Sequence, residues 1–315
     1  MSKQKKLPSL PLVIRGYNTE GQGVASLPEG MTCFVSGALK GETCLVQLDK
    51  IGRTCAWGHT VKVEVLSPAR LEPDCPHYVN CGGCATRHMT YAEELEFKRQ
   101  KVEDCLKRIG DCDTPVSVIY GADNTQRYRN KAQFPISGSA IGFYVNRTHQ
   151  VTDVEDCLLQ PLPAARLRGA LIRFMSTYRV PAYDEQTGGG LLRHLYVRTN
   201  RKEESLCCIL VNGKALPHEE DLVAALRAAE PDLKGVVLGI NEKRNNVILG
   251  DSYRKLWGED FLMDTMCGLS FKLSVPSFYQ VNTPQAEKLY SLALDFAGLT
   301  GEETALDLYC GIGTI

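Results

Sequence analysis

The chain has 315 residues, 43% of them hydrophobic and 23% charged, with a formal net charge of −1, the balance of a folded rather than a disordered protein. No apolar run approaches the ~20 residues that span a bilayer, and the opening MSKQKKLPSL lacks the apolar core of a secretory signal. Membrane and secreted classes are thereby excluded, and the expectation is a cytoplasmic protein with no membrane partner.

The charge is unevenly spread. Residues 1–70 carry 9 basic and 5 acidic side chains and residues 126–202 carry 12 and 5, whereas residues 71–125 and 203–315 are net acidic. Two basic blocks in a neutral chain point to a polyanion surface, because Lys and Arg at phosphates release counterions.

From Leu12 to about Val65, short alternating runs are separated by Gly-bearing turns: 12–14, 23–25, 31–35, 42–48 and 59–65. That pattern predicts a small β-barrel of the OB type over 8–68. The Pro-bearing stretch 66–74 reads as a linker. Thr90-Tyr91-Ala92-Glu93 fits a capping box, and Leu95, Val102, Leu106 and Ile109 recur at helical spacing before Gly110, so a helix is predicted over 90–110. From Arg127 to about Leu262 the pattern is mostly strands, at 133–135, 140–145, 149–154, 194–199, 205–211, 236–240 and 246–249, interrupted by helices at 162–178 and 219–229. This is one α+β domain. Thr283-Pro284 opens a last helix closed by Gly298, and 304–309 is predicted to be a strand leading into a glycine turn.

Thirteen cysteines are many for a reducing compartment, where disulfides are rare. Cys75, Cys81 and Cys84 form C-x5-C-x2-C with Gly82 and Gly83 inside. A glycine-bearing loop lets thiolates converge on a metal, and a tetrahedral zinc or a four-iron cluster needs a fourth ligand. Cys105, Cys112 and Cys157 are the candidates, with Cys157 favoured by its place after a strand. Spacing alone leaves zinc and iron–sulfur both open. The other cysteines read as core residues. In Asp307-Leu308-Tyr309-Cys310-Gly311-Ile312-Gly313 a strand ends in G-x-G, the form of a nucleotide-binding turn in a Rossmann-like sheet.

Taken together, the order of motifs resembles a known family. The barrel looks like a TRAM domain, and Cys75-Pro76-His77-Tyr78-Val79-Asn80-Cys81-Gly82-Gly83-Cys84 with Cys157 is similar to the cluster motif of the RNA (uracil-5-)-methyltransferases of the RumA/TrmA type. Ser277-Phe278-Tyr279-Gln280-Val281-Asn282 and the glycine turn resemble that family's cofactor motifs. The resemblance implies three parts. These are a TRAM barrel over 8–68, a central iron–sulfur and RNA-binding α+β domain over 70–89 and 111–262, and the start of a Rossmann-like methyltransferase domain over 90–110 and 263–315.

It also implies a [4Fe–4S] cluster on Cys75, Cys81, Cys84 and Cys157, S-adenosylmethionine held by Gln280, Tyr309, Gly311 and Gly313, and methylation of uridine C5 in 23S ribosomal RNA by a monomer. In the family a cysteine adds to uracil C6 and a glutamate removes the C5 proton, and both lie downstream of the glycine turn. The expectation is therefore a C-terminally truncated enzyme, inactive alone, with no catalytic residue in 1–315. Arg129, Lys131, Arg193 and Arg198, in the basic block, are the candidate RNA contacts. The competing reading is a zinc- or iron–sulfur-stapled RNA-binding module without catalysis.

Overall fold

The computed structural model describes residues 7–314, which fall into two compact units. The first comprises the chain to Val79 together with Gly83–Gly121, and the second comprises Asn80–Gly82 and the chain from Ala122. Ile315, the end of the predicted glycine turn, lies outside the described residues.

The first unit opens with six strands: β1 (Ser9–Val13), β2 (Gly16–Tyr17), β3 (Gly23–Ser26), β4 (Thr32–Ser36), β5 (Thr43–Ile51) and β6 (Cys55–Val65). They form one sheet in the order β1-β5-β6-β4-β3-β2, antiparallel except for β4 on β6. Alternation decides the core. On β5, Cys44, Val46 and Leu48 face inward with Cys33 and Val35 of β4, while the residues between them stay half-exposed, as a two-residue period requires. A buried ion pair closes the module: Arg70 Nε and Nη2 reach the fully buried Glu42 carboxylate at 2.5 and 2.7 Å.

Helix α1 (Tyr91–Arg108) begins at Thr90, whose hydroxyl accepts from the Glu93 amide at 3.3 Å. Only half of the predicted capping box forms. The Glu93 carboxylate accepts instead from Tyr17 Oη at 2.7 Å, and Phe97 meets the Tyr17 ring edge-on at 5.4 Å. The helix thus packs on the β module through its one buried apolar residue, Phe97, whose partner Tyr17 is on β2.

The second unit is built on a seven-stranded sheet. Its members are β7 (Lys131–Ser137), β8 (Ala140–Tyr144), β9 (Val151–Asp153), β10 (Leu192–Thr199), β11 (Ser205–Val211), β12 (Leu233–Ile240) and β13 (Ser252–Gly258), in the order β13-β12-β11-β10-β7-β8-β9. Helices α2 (Leu162–Tyr178) and α3 (Glu219–Ala229) cover one face, with Leu167, Leu171, Leu222 and Leu226 against Leu195, Val197, Cys207, Ile209 and Val236. Tyr196, Cys208, Leu210 and Val237 face the other side. The adjacent Cys207 and Cys208 therefore serve opposite cores, each fully buried.

Hairpin β14 (Phe261–Met266) and β15 (Leu269–Ser274) and helix α4 (Thr283–Ala297) complete the unit. The hairpin turns on Cys267 and Gly268, both at positive φ (51° and 78°), the two-residue turn that suits strand twist. Two predicted strands are not strands. Residues 246–249 form a loop whose Val247 and Ile248 carbonyls accept from Asn241 Nδ2 at 2.7 and 3.1 Å. Residues 304–309 form no ladder, and Leu306, Leu308 and Tyr309 are exposed. An apolar run becomes a strand only where a neighbour takes up its backbone groups, and among the described residues none pairs with 304–309.

Candidate nucleotide and nucleic-acid site

The segment 277–282 has no regular structure, and the ends of β7 and β10 hold it in place. Asn130, just before β7, does most of this: its backbone N–H donates to Val281 O at 2.8 Å. Its side-chain Nδ2 donates to Gln280 O at 2.8 Å and Thr283 Oγ1 at 3.0 Å. From β10, Arg198 Nη2 donates to Ser277 O at 2.6 Å, and its Nε to Tyr196 Oη at 2.9 Å. Asn282 caps α4 by accepting from the Gln285 amide. Within the segment Tyr279 is buried while Phe278 is 66% exposed, so an aromatic ring projects beside Gln280. Burial and the neighbouring Asp264 charge push the Tyr279 hydroxyl well above its usual pKa, so it stays protonated.

The glycine turn meets the same region. Ile312 packs against the cluster of Met266, Phe271, Leu273, Tyr279, Ala286 and Tyr290, and Thr314 Oγ1 lies 3.5 Å from Tyr290 Oη. The turn thus packs on the cluster that contains Tyr279, the chain neighbour of Gln280. Tyr309, Gly311 and Gly313 all have positive φ (67°, 58° and 73°), and no atom lies within 4 Å of where a Cβ would sit on either glycine. The glycines are required by backbone conformation and leave the backbone open to a ligand.

A cavity of about 610 Å3 lies along these strand ends, lined by Arg127, Arg129, Asn130, Arg201, Asn282 and Thr283 among others. Most of its cations are neutralised: Arg127 by Asp156 at 2.5 Å, Arg166 by Glu230 at 2.6 Å, and Arg201 by Glu287. Among the described residues Arg129 and Lys131 have no carboxylate partner. Burial, then the charges of Arg198 and Arg129, lower the Lys131 pKa. Lys131 stands opposite Arg198 in the β7–β10 register.

Of the four predicted RNA contacts, then, Arg129 lines this cavity, Lys131 and Arg198 face each other on the adjoining strand ends, and Arg193 lies at the other end of β10. Arg198 is 1% exposed and Arg193 5%. Both guanidiniums are built into the fold rather than offered to solvent, because their planar forks are taken up by a tyrosine hydroxyl and backbone carbonyls. Asn130 escaped sequence reasoning. Its role depends on a contact 150 residues away, with no local signal.

The cysteine run is divided. Cys75 and Cys84 belong to the first unit, Cys81 and Cys157 to the second. Burial alone would lower the Arg87 pKa, but hydrogen bonds to Asp74, the nearest at 2.5 Å, and the charges of Asp74, Cys84 and Cys75 raise it. Two of the four sulfurs therefore sit near one cation. In the second unit, Gly82 N–H donates to Tyr144 O at 3.0 Å, and a Cβ there would fall 2.8 Å from both Tyr144 O and Asn146 N. Only glycine permits that approach. Among the described residues no group of three or more His, Cys, Asp or Glu side chains is arranged to hold a metal ion.

Comparison with known proteins gives two kinds of relative. A protein described as an uncharacterized RNA methyltransferase from Clostridium tetani is 38% identical over 316 residues, covering 99% of this chain and 68% of the relative. One from Halalkalibacterium halodurans, described likewise, is 37% identical, covering 100% and 71%. Among solved structures, the chain is similar to the Pyrococcus abyssi tRNA (uracil-54, C5)-methyltransferase in complex with S-adenosyl-L-homocysteine. That match has a TM-score of 0.74 and 22% identity, and covers 96% of this chain and 68% of the other. No protein-family model matches the chain.

Proposed function

Because the chain belongs to the RNA methyltransferase family of these relatives, we propose that it binds RNA and S-adenosylmethionine for methyl transfer to uridine C5. The observation that carries this reading is the convergence of Asn130 and Arg198 on the segment bearing Gln280, with Ile312 of the glycine turn packed on the cluster that contains Tyr279. S-adenosylmethionine supplies an electrophilic methyl group. Gln280, Tyr309, Gly311 and Gly313 are the proposed contacts to it. Arg129 and Lys131 meet phosphate, and Phe278 stacks on a base taken out of its helix, as any enzyme acting on a base's ring carbon requires.

The proposed substrate is 23S ribosomal RNA, on the motif resemblance. The P. abyssi neighbour acts on tRNA, and a direct comparison of the two RNAs separates the readings. The [4Fe–4S] cluster on Cys75, Cys81, Cys84 and Cys157 also stays a proposal, supported by the glycine-bearing spacing of the run. The second reading, an RNA-binding module without chemistry, is favoured by the twelve basic side chains of residues 126–202.

The test is binding of S-adenosylhomocysteine, by calorimetry, and of stem–loops from 23S RNA and tRNA, by fluorescence anisotropy. Gln280→Ala should weaken the cofactor tenfold or more and leave RNA affinity within twofold. Phe278→Ala should do the reverse, by the ~1–3 kcal/mol of a base stack. A chain that binds RNA but no S-adenosylhomocysteine supports the binding-module reading. One that binds neither overturns both.

A further inference from the structure

A second cavity, of about 1250 Å3, opens at the other end of the β7–β10 pair, where β7 ends and Arg193 and His194 begin β10. Five to six residues separate it from the first along these strands, a span of ~17–20 Å at about 3.3 Å per residue. The two cavities are separate sites on one sheet.

One wall is aromatic. Tyr144 at the end of β8 and His149 in the following turn meet edge to face, with centroids 5.9 Å apart. Glu185 holds both: its Oε1 accepts from Tyr144 Oη at 3.3 Å, and its Oε2 lies 2.7 Å from His149 Nδ1. The hairpin carrying them is anchored by Gly82 and by Thr152 Oγ1, which donates to Asn80 O at 2.7 Å. The rings are therefore fixed in place before any ligand arrives.

At the far end of the cavity two buried nitrogens, Arg193 Nε and His194 Nδ1, have no hydrogen-bond partner. Arg193 lies 4.4 Å over the Tyr183 ring, and its Nη1 donates to Asn241 O and Lys243 O, both at 2.7 Å. Among the described residues it has no carboxylate partner, and its buried Nε makes no hydrogen bond. His194 is 7% exposed with Nδ1 also unpartnered. Burial and then the Arg193 charge lower its pKa to about 4, so the ring is neutral at pH 7. The nearby acids are occupied: Asp184 accepts from the Gln186 and Thr187 amides, and Glu185 holds the wall. Arg179, exposed, lines the same cavity.

We infer that this cavity takes one unstacked nucleotide of the RNA substrate, away from the base to be methylated, and so contributes to the choice of RNA. Its base stacks on the Tyr144–His149 wall, its polar edge meets the Arg193–His194 end, and its phosphate meets Arg179. A purely apolar ligand would leave the buried Arg193 Nε and His194 Nδ1 without a partner, at a cost, and a lone phosphate has no use for a pre-set aromatic wall. An unpaired nucleotide offers all three chemistries together. The inference rests on the RNA-binding reading above.

The experiment uses the 315-residue chain and single-stranded and stem–loop RNAs carrying 2-aminopurine at successive unpaired positions, with anisotropy for affinity. Tyr144→Ala should weaken binding ~5–150-fold, the range of one lost base stack, and abolish the fluorescence rise at one position. Tyr144→Phe, which keeps the ring, should stay within twofold, and Arg179→Glu should weaken binding at least fivefold. Circular dichroism checks that each variant folds. If Tyr144→Ala and Arg179→Glu bind like the parent while Arg129→Ala weakens binding, the second site is overturned and the RNA-binding reading stands. If the parent chain binds none of these RNAs, the reading beneath it fails as well.

Discussion

Replacing Asn130 by Ala removes the side chain that ties β7 to the segment bearing Gln280. Two hydrogen bonds go, to Gln280 O and to Thr283 Oγ1, each contributing about 1 kcal/mol net. The Thr283 hydroxyl is also left in a site where the residue is only 5% exposed, and an unsatisfied buried group costs a further ~1–3 kcal/mol. The backbone bonds of Asn130 to Val281 and Thr199 survive, so the segment loosens rather than detaches. The expected loss of stability is therefore about 3–5 kcal/mol, read by urea unfolding of parent and variant with equal slopes. Because Gln280 follows the loosened segment, S-adenosylhomocysteine affinity should fall roughly tenfold in the same variant. A stability change below about 0.5 kcal/mol together with unaltered affinity would refute the claim that Asn130 positions this loop.

Three further outcomes are expected. Arg70→Met strips the buried Glu42 of its counter-ion and should destabilise the first unit by about 3–5 kcal/mol, measured by thermal unfolding. Burial raises the Glu42 pKa, but the hydrogen bond from Arg70 and the amides of Leu39 and Ser67 outweigh it and hold the group low, so the parent should keep that contribution above pH 4.5 and lose it only in stronger acid. His194 binds its proton more weakly when folded, near pH 4, than at the usual 6.5. Unfolding of the second unit should thus become easier as pH falls from 6.5 to 4, by up to about 3 kcal/mol, and His194→Gln should flatten that slope in a pH series of urea melts. Finally, protein purified without air should carry about four irons per chain, and Cys81→Ser should lose them; one zinc and no iron by elemental analysis would remove the cluster.

Much of this protein was legible locally. The strands of the β module, the helices at 162–178 and 219–229, and the Thr90 cap follow from side-chain period and from single capping residues, which act over three or four positions. The cysteine run and the Ser277–Asn282 and glycine-turn motifs are likewise contiguous. Hairpin 261–274 was not predicted, although Cys267-Gly268 marks its turn.

Tertiary structure decided the rest, because it concerns groups far apart in sequence. Burial of Arg193 and Arg198 depends on carbonyls at 241, 243 and 277, so a basic block that reads as surface became partly framework. The strand expected at 304–309 lacks a ladder partner among the described residues, and hydrophobic pattern cannot supply backbone hydrogen bonds. Asn130 holds a segment 150 residues away, and Glu185 fixes two rings 36 and 41 residues before it. Periodicity tells which face of an element is apolar, but only the folded chain tells which polar atom each donor meets.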